Sequence, residues 1–479
     1  MTNYLEFYIG GRWVAPQSAE TRELVDPATE EAYGCVAMGS VEDIDAAVMA
    51  ARGAFDGWSQ TSLAERAAML DRIIEIYKRR SDEIGDAITQ EIGAPTWLSR
   101  SAHAPSGLAH LVEARRLLDV YEFEWNLASG TRVIREAAGV CALITPWNWP
   151  ANQVLCKVAP ALAAGCTMVL KPSQHSPLDA IIFAEIVDEA GLPAGVFNVV
   201  NGAGARLGDA LASHREVDLV SLTGSNRAGA EVARSAAEAV KRVSLELGGK
   251  SANVILDDAD FPKAVASGII QLLSNCGQSC NAPSRMLVPR SQQAEVCEIA
   301  KSVVASVKVM EPATADKGAI GPLANETQFR TVQSFIEKGI AEGARLVAGG
   351  PGRPEGFERG FYARPTVFAD VEPGMTIAQE EIFGPVLAIL PYEDEEDAIR
   401  IANDSIYGLS GYVQSASIER ARKFARRMRT GNVHLNGARP DFTAPFGGYK
   451  QSGNGREWGA MGLEEFTEVK AVLGWGSES

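Results

Sequence analysis

The chain has 479 residues, too many for one ordinary hydrophobic core, so two or three domains are expected. It is 46% hydrophobic and 22% charged, and its apolar runs break well short of a bilayer span, which excludes a transmembrane helix. A net charge of −16 argues against nucleic acid or an anionic membrane as partner.

The opening MTNYLEFYIGGRW lacks a basic segment followed by an apolar one, so it does not read as a secretory signal. Residues 41–92 read as amphipathic helices, as in LAERAAMLDRIIEIYKRR, where apolar residues recur at three and four. LDVYEFEWNLASGTRVIRE, residues 118–136, and the terminal FTEVKAVLGW look like strands outside any main sheet. Their unpaired edges suggest pairing with another subunit.

From about residue 138 the texture changes. GVCALIT, CTMVLK, VFNVV, VDLVSLT and RVSLEL are short apolar runs, and between them lie segments of helical spacing such as NQVLCKVAPALAA. Such alternation predicts an α/β fold with a parallel sheet covered on both faces. Ligands of such sheets sit beyond the strands' carboxyl ends. There this chain places PWNWP, KPSQHSP, NGAGARLG, TGSNRAG and GGK, loops suited to an anionic cofactor resting on backbone amides and helix N-termini. Taken singly, each also reads as an ordinary strand-to-helix turn. After SANVILDDADF a second alternating stretch predicts another α/β domain facing the first across a cleft.

That second stretch contains SNCGQSCNAPSR, residues 274–285. With seven cysteines and no export signal, free thiols and a cytoplasmic location are expected. No metal is expected, because Cys276 and Cys280 have no second cysteine pair nearby and the five histidines are scattered. Cys35, Cys141 and Cys166 lie in apolar runs and read as small hydrophobes. Cys280 is flanked by Gln278, Ser279 and Asn281, with Gly277 allowing a sharp turn and Pro283 restricting the backbone beyond it. It reads either as a packed thiol or as a presented nucleophile, and spacing alone leaves both open.

GQSCNAPSR, with LELGGK some thirty residues before it and PWNWP, KPSQHSP, LTGS, EEIFGPV and PFGGYKQSGNGRE in order, resembles the NAD(P)-dependent aldehyde dehydrogenase superfamily. The likeness runs from FYIGGRWV to TEVKAV, nearly the whole chain. It implies a Rossmann-like cofactor domain formed by residues 1–117 and 137–247. It also implies a catalytic domain over 248–449 and a small β oligomerisation arm from 118–136 with 450–479, in a homodimer or homotetramer. By the same resemblance Cys280 attacks an aldehyde, Asn148 and the Cys280 amide hold the oxyanion, and Glu246 is the base that hydrolyses the thioester. Lys157 and Glu457 match positions that support proton movement near that base. The glutamate at 246 favours hydrolysis over transfer to CoA, and the retained Cys280, Glu246, Asn148 and Lys171 leave little room for an inactive scaffold.

For the cofactor, the resemblance places Lys171 and Gln174 at the adenine ribose, Ser225 at the pyrophosphate, and Glu381 with Phe383 at the nicotinamide ribose. Thr145, Pro146, Trp147 and Leu247 border the same crevice, and Gly204, Gly224 and Gly229 let backbone and helix approach it. NAD is the expected cofactor. Gln174 stands where NAD-preferring members have a glutamate, and an amide lacks the charge that repels a 2′-phosphate, so NADP is also expected to be accepted. Trp149, Cys156, Cys276, Asn281, Phe442 and Phe446 would border the substrate tunnel, which predicts a hydrophobic or aromatic aldehyde. Arg439 leaves open a semialdehyde whose carboxylate it would bind.

Overall fold

The computed structural model describes residues 2–476; Met1 and residues 477–479, the extreme ends of the expected first and third regions, lie outside the described residues. An eight-stranded sheet runs in the order Gly453–Asn454, Arg242–Glu246, Leu219–Thr223, Val140–Ile144, Thr167–Lys171, Phe197–Val199, Phe7–Ile9, Arg12–Val14. The five strands from Arg242–Glu246 to Phe197–Val199 are parallel, and the flanking ones pair antiparallel. Val140–Ile144 is buried throughout, with Cys141 and Leu143 in one core and Val140, Ala142 and Ile144 in the other. This is why its sequence is a continuous apolar run: alternate side chains leave opposite faces, and helices cover both.

A seven-stranded sheet comes next, in the order Arg345–Ala348, Thr366–Ala369, Val386–Tyr392, Arg285–Pro289, Ala252–Ile255, Ser410–Gln414, Asn432–Leu435. Only its first pairing is antiparallel, and it has its own core around Val254, Leu287, Ile389 and Val413. The expected strands outside both sheets form a third, antiparallel sheet of Thr467–Val472, Arg132–Ala137 and Glu124–Asn126.

One local expectation needs correction. Residues 118–120 end the helix Ala104–Val120 instead of opening a strand, because Leu111, Ala114, Leu117 and Leu118 continue a helical apolar face into the core. FYIGGRWV is a hairpin whose strand Phe7–Ile9 extends the first sheet. Among the described residues no helix is long and apolar enough to cross a membrane.

Arg285, which closes the cysteine segment, is a structural residue. It is 2% exposed, and its guanidinium donates to Lys250 O (2.9 Å), Ile401 O (3.0 Å) and Ala402 O (2.9 Å). It thus binds the end of helix Glu395–Asn403 to the strand that carries the cysteine loop. Arg285→Met should strand three buried carbonyls and destabilise the fold by about 3 kcal/mol, and Arg285→Lys should recover only part, because an ammonium lacks the planar fork. A denaturant midpoint equal to the parent's in Arg285→Met would refute this assignment.

Candidate active site

The parallel strands of the first sheet reverse their order between Val140–Ile144 and Leu219–Thr223. At such a switch point the loops leave in opposite directions and open a crevice. A cavity of about 380 Å³ lies there, lined by Pro146, Trp147 and Asn148 from one loop and Thr223, Gly224 and Ser225 from the other. Its remaining walls include Leu247, Cys280, Glu381 and Phe383, so it joins both large sheets.

The cysteine loop owes its shape to backbone strain and amides. Asn275 and Cys276 have φ of 51° and 55°, and Gly277 succeeds them at 74°, where a Cβ would strike Gly384 O. Asn275 Nδ2 donates to Asn148 O (2.7 Å), and Gln278 Nε2 donates to Asn275 O (3.1 Å) while its Oε1 accepts from Ala324 N (2.9 Å). Gln278 is 1% exposed, so its polarity locks the loop and does not present Cys280 to a ligand, as the sequence suggested. Cys280 is half-buried. Burial raises the affinity of its thiol for its proton, and the carboxylates of Glu381, Glu246 and Glu457 add to the effect. Asn148 Nδ2 donates to Gln278 O at 3.1 Å, and its second N–H is left for another acceptor.

Glu246 ends the strand Arg242–Glu246, 2% exposed, and neither carboxylate oxygen has a hydrogen-bond partner. Burial holds its pKa well above the usual range and Glu457 reinforces this, while Lys157 and Arg456 oppose it. Lys157 is 1% exposed; its ammonium donates to Ser221 Oγ (3.1 Å) and forms an ion pair with Glu457 Oε1. Burial works against the charge on Lys157, but Glu457, Cys156 and Glu246 together outweigh it and the pKa rises. Cys156 lies beside this pair, its Sγ 3.3 Å from Glu457 Oε2.

The cofactor candidates gather along the crevice. A second cavity of about 900 Å³ shares Thr223 with the first and is lined by Thr145, Lys171, Gln174 and Gly204. Lys171 is 3% exposed, donates only to the carbonyls of Pro172 (2.9 Å) and Gly202 (3.4 Å), and is pushed down to about 8 by burial. Helices Gly204–Ser213 and Asn226–Ala237 begin at this crevice, the latter capped by Ser225. Gly229 lets that helix settle on Leu247, whose side chain a Cβ would meet at 2.7 Å. Glu381 accepts from Gly249 N–H (2.9 Å), and burial pushes its pKa up to about 7. Phe383 packs edge-on to Trp147 at 5.5 Å.

The substrate candidates divide. Trp149 donates from Nε1 to Ser279 Oγ (2.7 Å) and stacks on His103 at 4.0 Å. Phe442 and Phe446 both pack on Trp458, at 5.1 and 4.5 Å, and Phe442 meets His110 edge-on at 5.1 Å. Asn281 is partly exposed, and its carbonyl accepts from Tyr412 Oη at 2.8 Å. Cys276 stands apart: it is 2% exposed in the core of the second sheet, because the left-handed turn points it away from where a helical turn would have carried it. Arg439 is exposed on its loop.

Sequence reasoning missed His103, His110, Asn275 and Trp458. Burial lowers the pKa of His103 to about 3 and of His110 to about 4, so both rings are neutral. His110 bonds Asn152 at 2.9 Å, a pairing between two helices with no sequence signal. Asn275 lies inside the cysteine segment and was legible as a turn-former.

The family model described as the aldehyde dehydrogenase family matches residues 13–472. The chain is 57% identical over 476 residues to a 3-succinoylsemialdehyde-pyridine dehydrogenase of a Pseudomonas species, covering 99% of each. Among solved structures it superposes with a TM-score of 0.97 and 52% identity on a mutant of aldehyde dehydrogenase C from Pseudomonas syringae in complex with NAD+ and octanal, covering 99% of this chain and 97% of that one. A Mycobacterium tuberculosis aldehyde dehydrogenase complexed with NAD+ matches with a TM-score of 0.96 and 44% identity over the full length of both chains.

Since the folded state raises the pKa of Glu246, its ionised form destabilises the protein above the ordinary carboxyl range, and the penalty grows as pH rises through the folded value. Glu246→Gln should therefore raise the thermal midpoint by a few degrees at pH 8 and leave it unchanged near pH 4. Equal midpoints at pH 8 would mean that the carboxylate is compensated.

Proposed function

The chain belongs to the aldehyde dehydrogenase family and oxidises aldehydes, and from that premise we propose the reaction path and the residues that carry it. The nucleophile is Cys280, Glu246 is the base and NAD is the cofactor. The observation that supports this most directly is the single cavity that puts Cys280 and Asn148 together with Gly224, Ser225, Glu381 and Phe383.

The thiol is protonated when nothing is bound, so addition to the aldehyde requires a proton acceptor, and Glu246 is a buried carboxylate with heightened proton affinity. Sulfur bonds to the carbonyl carbon, and the oxygen becomes an alkoxide held by the Cys280 amide and the free N–H of Asn148. Two neutral donors stabilise this charge without trapping it. NAD, when bound, accepts the hydride that converts this tetrahedral adduct to a thioester. Glu246 passes on the thiol's proton before hydrolysis. Water then attacks the thioester carbonyl while Glu246 takes a proton from it, the C–S bond breaks, the thiolate regains a proton, and the acid leaves. Lys157 and Glu457 carry the proton onward. The sum is aldehyde, water and oxidised cofactor giving acid, reduced cofactor and one proton.

The residues present fit the dinucleotide. Gly204 leaves open space above its backbone, two helix N-termini face the crevice, and the Lys171 ammonium is anchored by carbonyls alone. Glu381 and Gln174 would hold the two riboses.

The substrate side is a wall of rings, Trp149, Phe442, Phe446 and Trp458, which supports a hydrophobic or aromatic aldehyde. The pyridine named for the Pseudomonas relative and the octanal bound in the P. syringae structure agree with it. The semialdehyde named for that relative keeps Arg439 as a second reading, although the exposure of this arginine argues against a carboxylate site.

Two separated cores support a division into a cofactor domain (1–117 with 137–247) and a catalytic domain (248–449). The exposed Val469, Leu473 and Trp475 near or on the outer strand of the third sheet support a homodimer or homotetramer through that arm. Seven free thiols support a cytoplasmic location.

Parent and Cys280→Ala enzymes given NAD and benzaldehyde, hexanal or succinic semialdehyde form the central test. The parent should prefer the first two and carry a trappable acyl group on Cys280, and Cys280→Ala should lose turnover on the order of 10⁴-fold or more. Parental turnover in the alanine variant, or a semialdehyde preference that disappears in Arg439→Ala, would overturn the nucleophile or the substrate reading respectively.

Gln174→Glu should raise the NAD-to-NADP ratio of kcat/KM by at least about tenfold, because the carboxylate restores repulsion of the 2′-phosphate. An unchanged ratio would remove Gln174 from cofactor choice.

A further inference from the structure

Glu457 offers two carboxylate oxygens, and they are held by different partners. Lys157 Nζ takes Oε1, and Oε2 lies 3.3 Å from Cys156 Sγ. The backbone of Glu457 is pinned as well, exchanging two hydrogen bonds of 2.7 Å with Phe446. One donor on one oxygen would let the carboxylate swing about that contact; a second on the other oxygen fixes its plane. Cys156 is 1% exposed, and burial and Glu457 both keep its thiol protonated, so it acts as a donor. The Gln153 carbonyl, 3.4 Å away one helical turn back, is its alternative acceptor. Of the charged groups around Glu246, Glu457 acts on it most strongly, so the orientation of that second carboxylate bears directly on the base.

We propose that Cys156 is a positioning residue for thioester hydrolysis: its S–H holds the Glu457 oxygen that Lys157 leaves free, and so fixes the carboxylate that receives the proton from Glu246. This rests on the roles given above to Glu246 and Glu457. The hydrogen bond also explains why a small thiol suits a position that the tunnel reading assigned to substrate contact: the side chain is turned toward the proton path.

The test tracks the acyl-enzyme. Parent, Cys156→Ala, Cys156→Ser and Glu246→Gln enzymes are mixed with NAD and benzaldehyde, quenched in acid over a time course, and weighed intact by mass spectrometry. Reduced cofactor is read in parallel, and thermal midpoints are recorded. Loss of the S–H should slow steady-state turnover about five- to tenfold, in line with one hydrogen bond to a charged group, and raise the acylated fraction. The first turnover of reduced cofactor should keep the parent's rate. Serine, which keeps the donor, should return turnover to within about twofold of the parent. Cys156→Val fills the space without a donor and replaces alanine if that chain does not fold.

Parental turnover in the alanine variant, a loss shared equally by serine, or slowed turnover without accumulated acyl-enzyme would each overturn the proposal. Accumulation in Glu246→Gln with none in Cys156→Ala would sink this inference alone. If Glu246→Gln completes its first turnover of reduced cofactor and still accumulates no acyl-enzyme, the assignment of the base falls and this inference falls with it.

Discussion

The backbone of Gly249 lies so close to the carbonyl of Cys280 that a Cβ there would collide with it. This contact is the seam of the molecule. Three residues upstream, Glu246 still belongs to the first sheet, and three downstream, Ala252 opens an interior strand of the second. The Gly249 N–H also donates to the Glu381 carboxylate. One glycine backbone therefore fixes Glu246, Cys280 and Glu381, the proposed base, nucleophile and ribose-binding carboxylate, relative to one another. Sliding the two sheets would misplace all three together, so catalytic geometry here is a property of how the sheets meet.

That seam is electrostatically expensive. Glu246, Lys171 and Lys250 are buried, Glu246 and the Lys250 ammonium have no hydrogen-bond partner at all, and burial lowers Lys250 to about 7. Unpaired buried charge is strongly disfavoured, so such groups persist only where a surrounding core over-determines the fold. Two extensive cores do so here. The strain has a chemical consequence: burial, reinforced by the carboxylates of Glu381, Glu246 and Glu457, raises the proton affinity of the Cys280 thiol.

How much of this was legible in the sequence varied with the physics involved. The parallel strands were, because strands buried on both faces must read as unbroken apolar runs, and the loops at their carboxyl ends then marked the crevice. The Phe7–Ile9 hairpin was not, since its three-residue strands are too short to establish a period. Gln278 misled because polarity in a sequence does not distinguish a side chain meeting ligand from one satisfying buried backbone. Cys276 misled because the left-handed conformation of Asn275 and Cys276 reverses a turn that spacing treats as helical. The substrate wall was only partly legible, as it combines rings and imidazoles from segments near 103–110, 149–156 and 442–458 whose proximity is purely tertiary.

The helix Pro150–Ala164 shows how these constraints combine. It is buried at every position, so no face can shed a polar side chain into solvent. Its polar residues must be matched inside the protein: Asn152 with His110, Lys157 with Glu457 and Ser221, and Cys156 with Glu457. The loop that leads into it holds Asn148 and Trp149, so the proposed oxyanion donor, substrate wall and proton path follow one another along this loop and one rigid helix. Gln153 is the exception, its Oε1 buried without a partner.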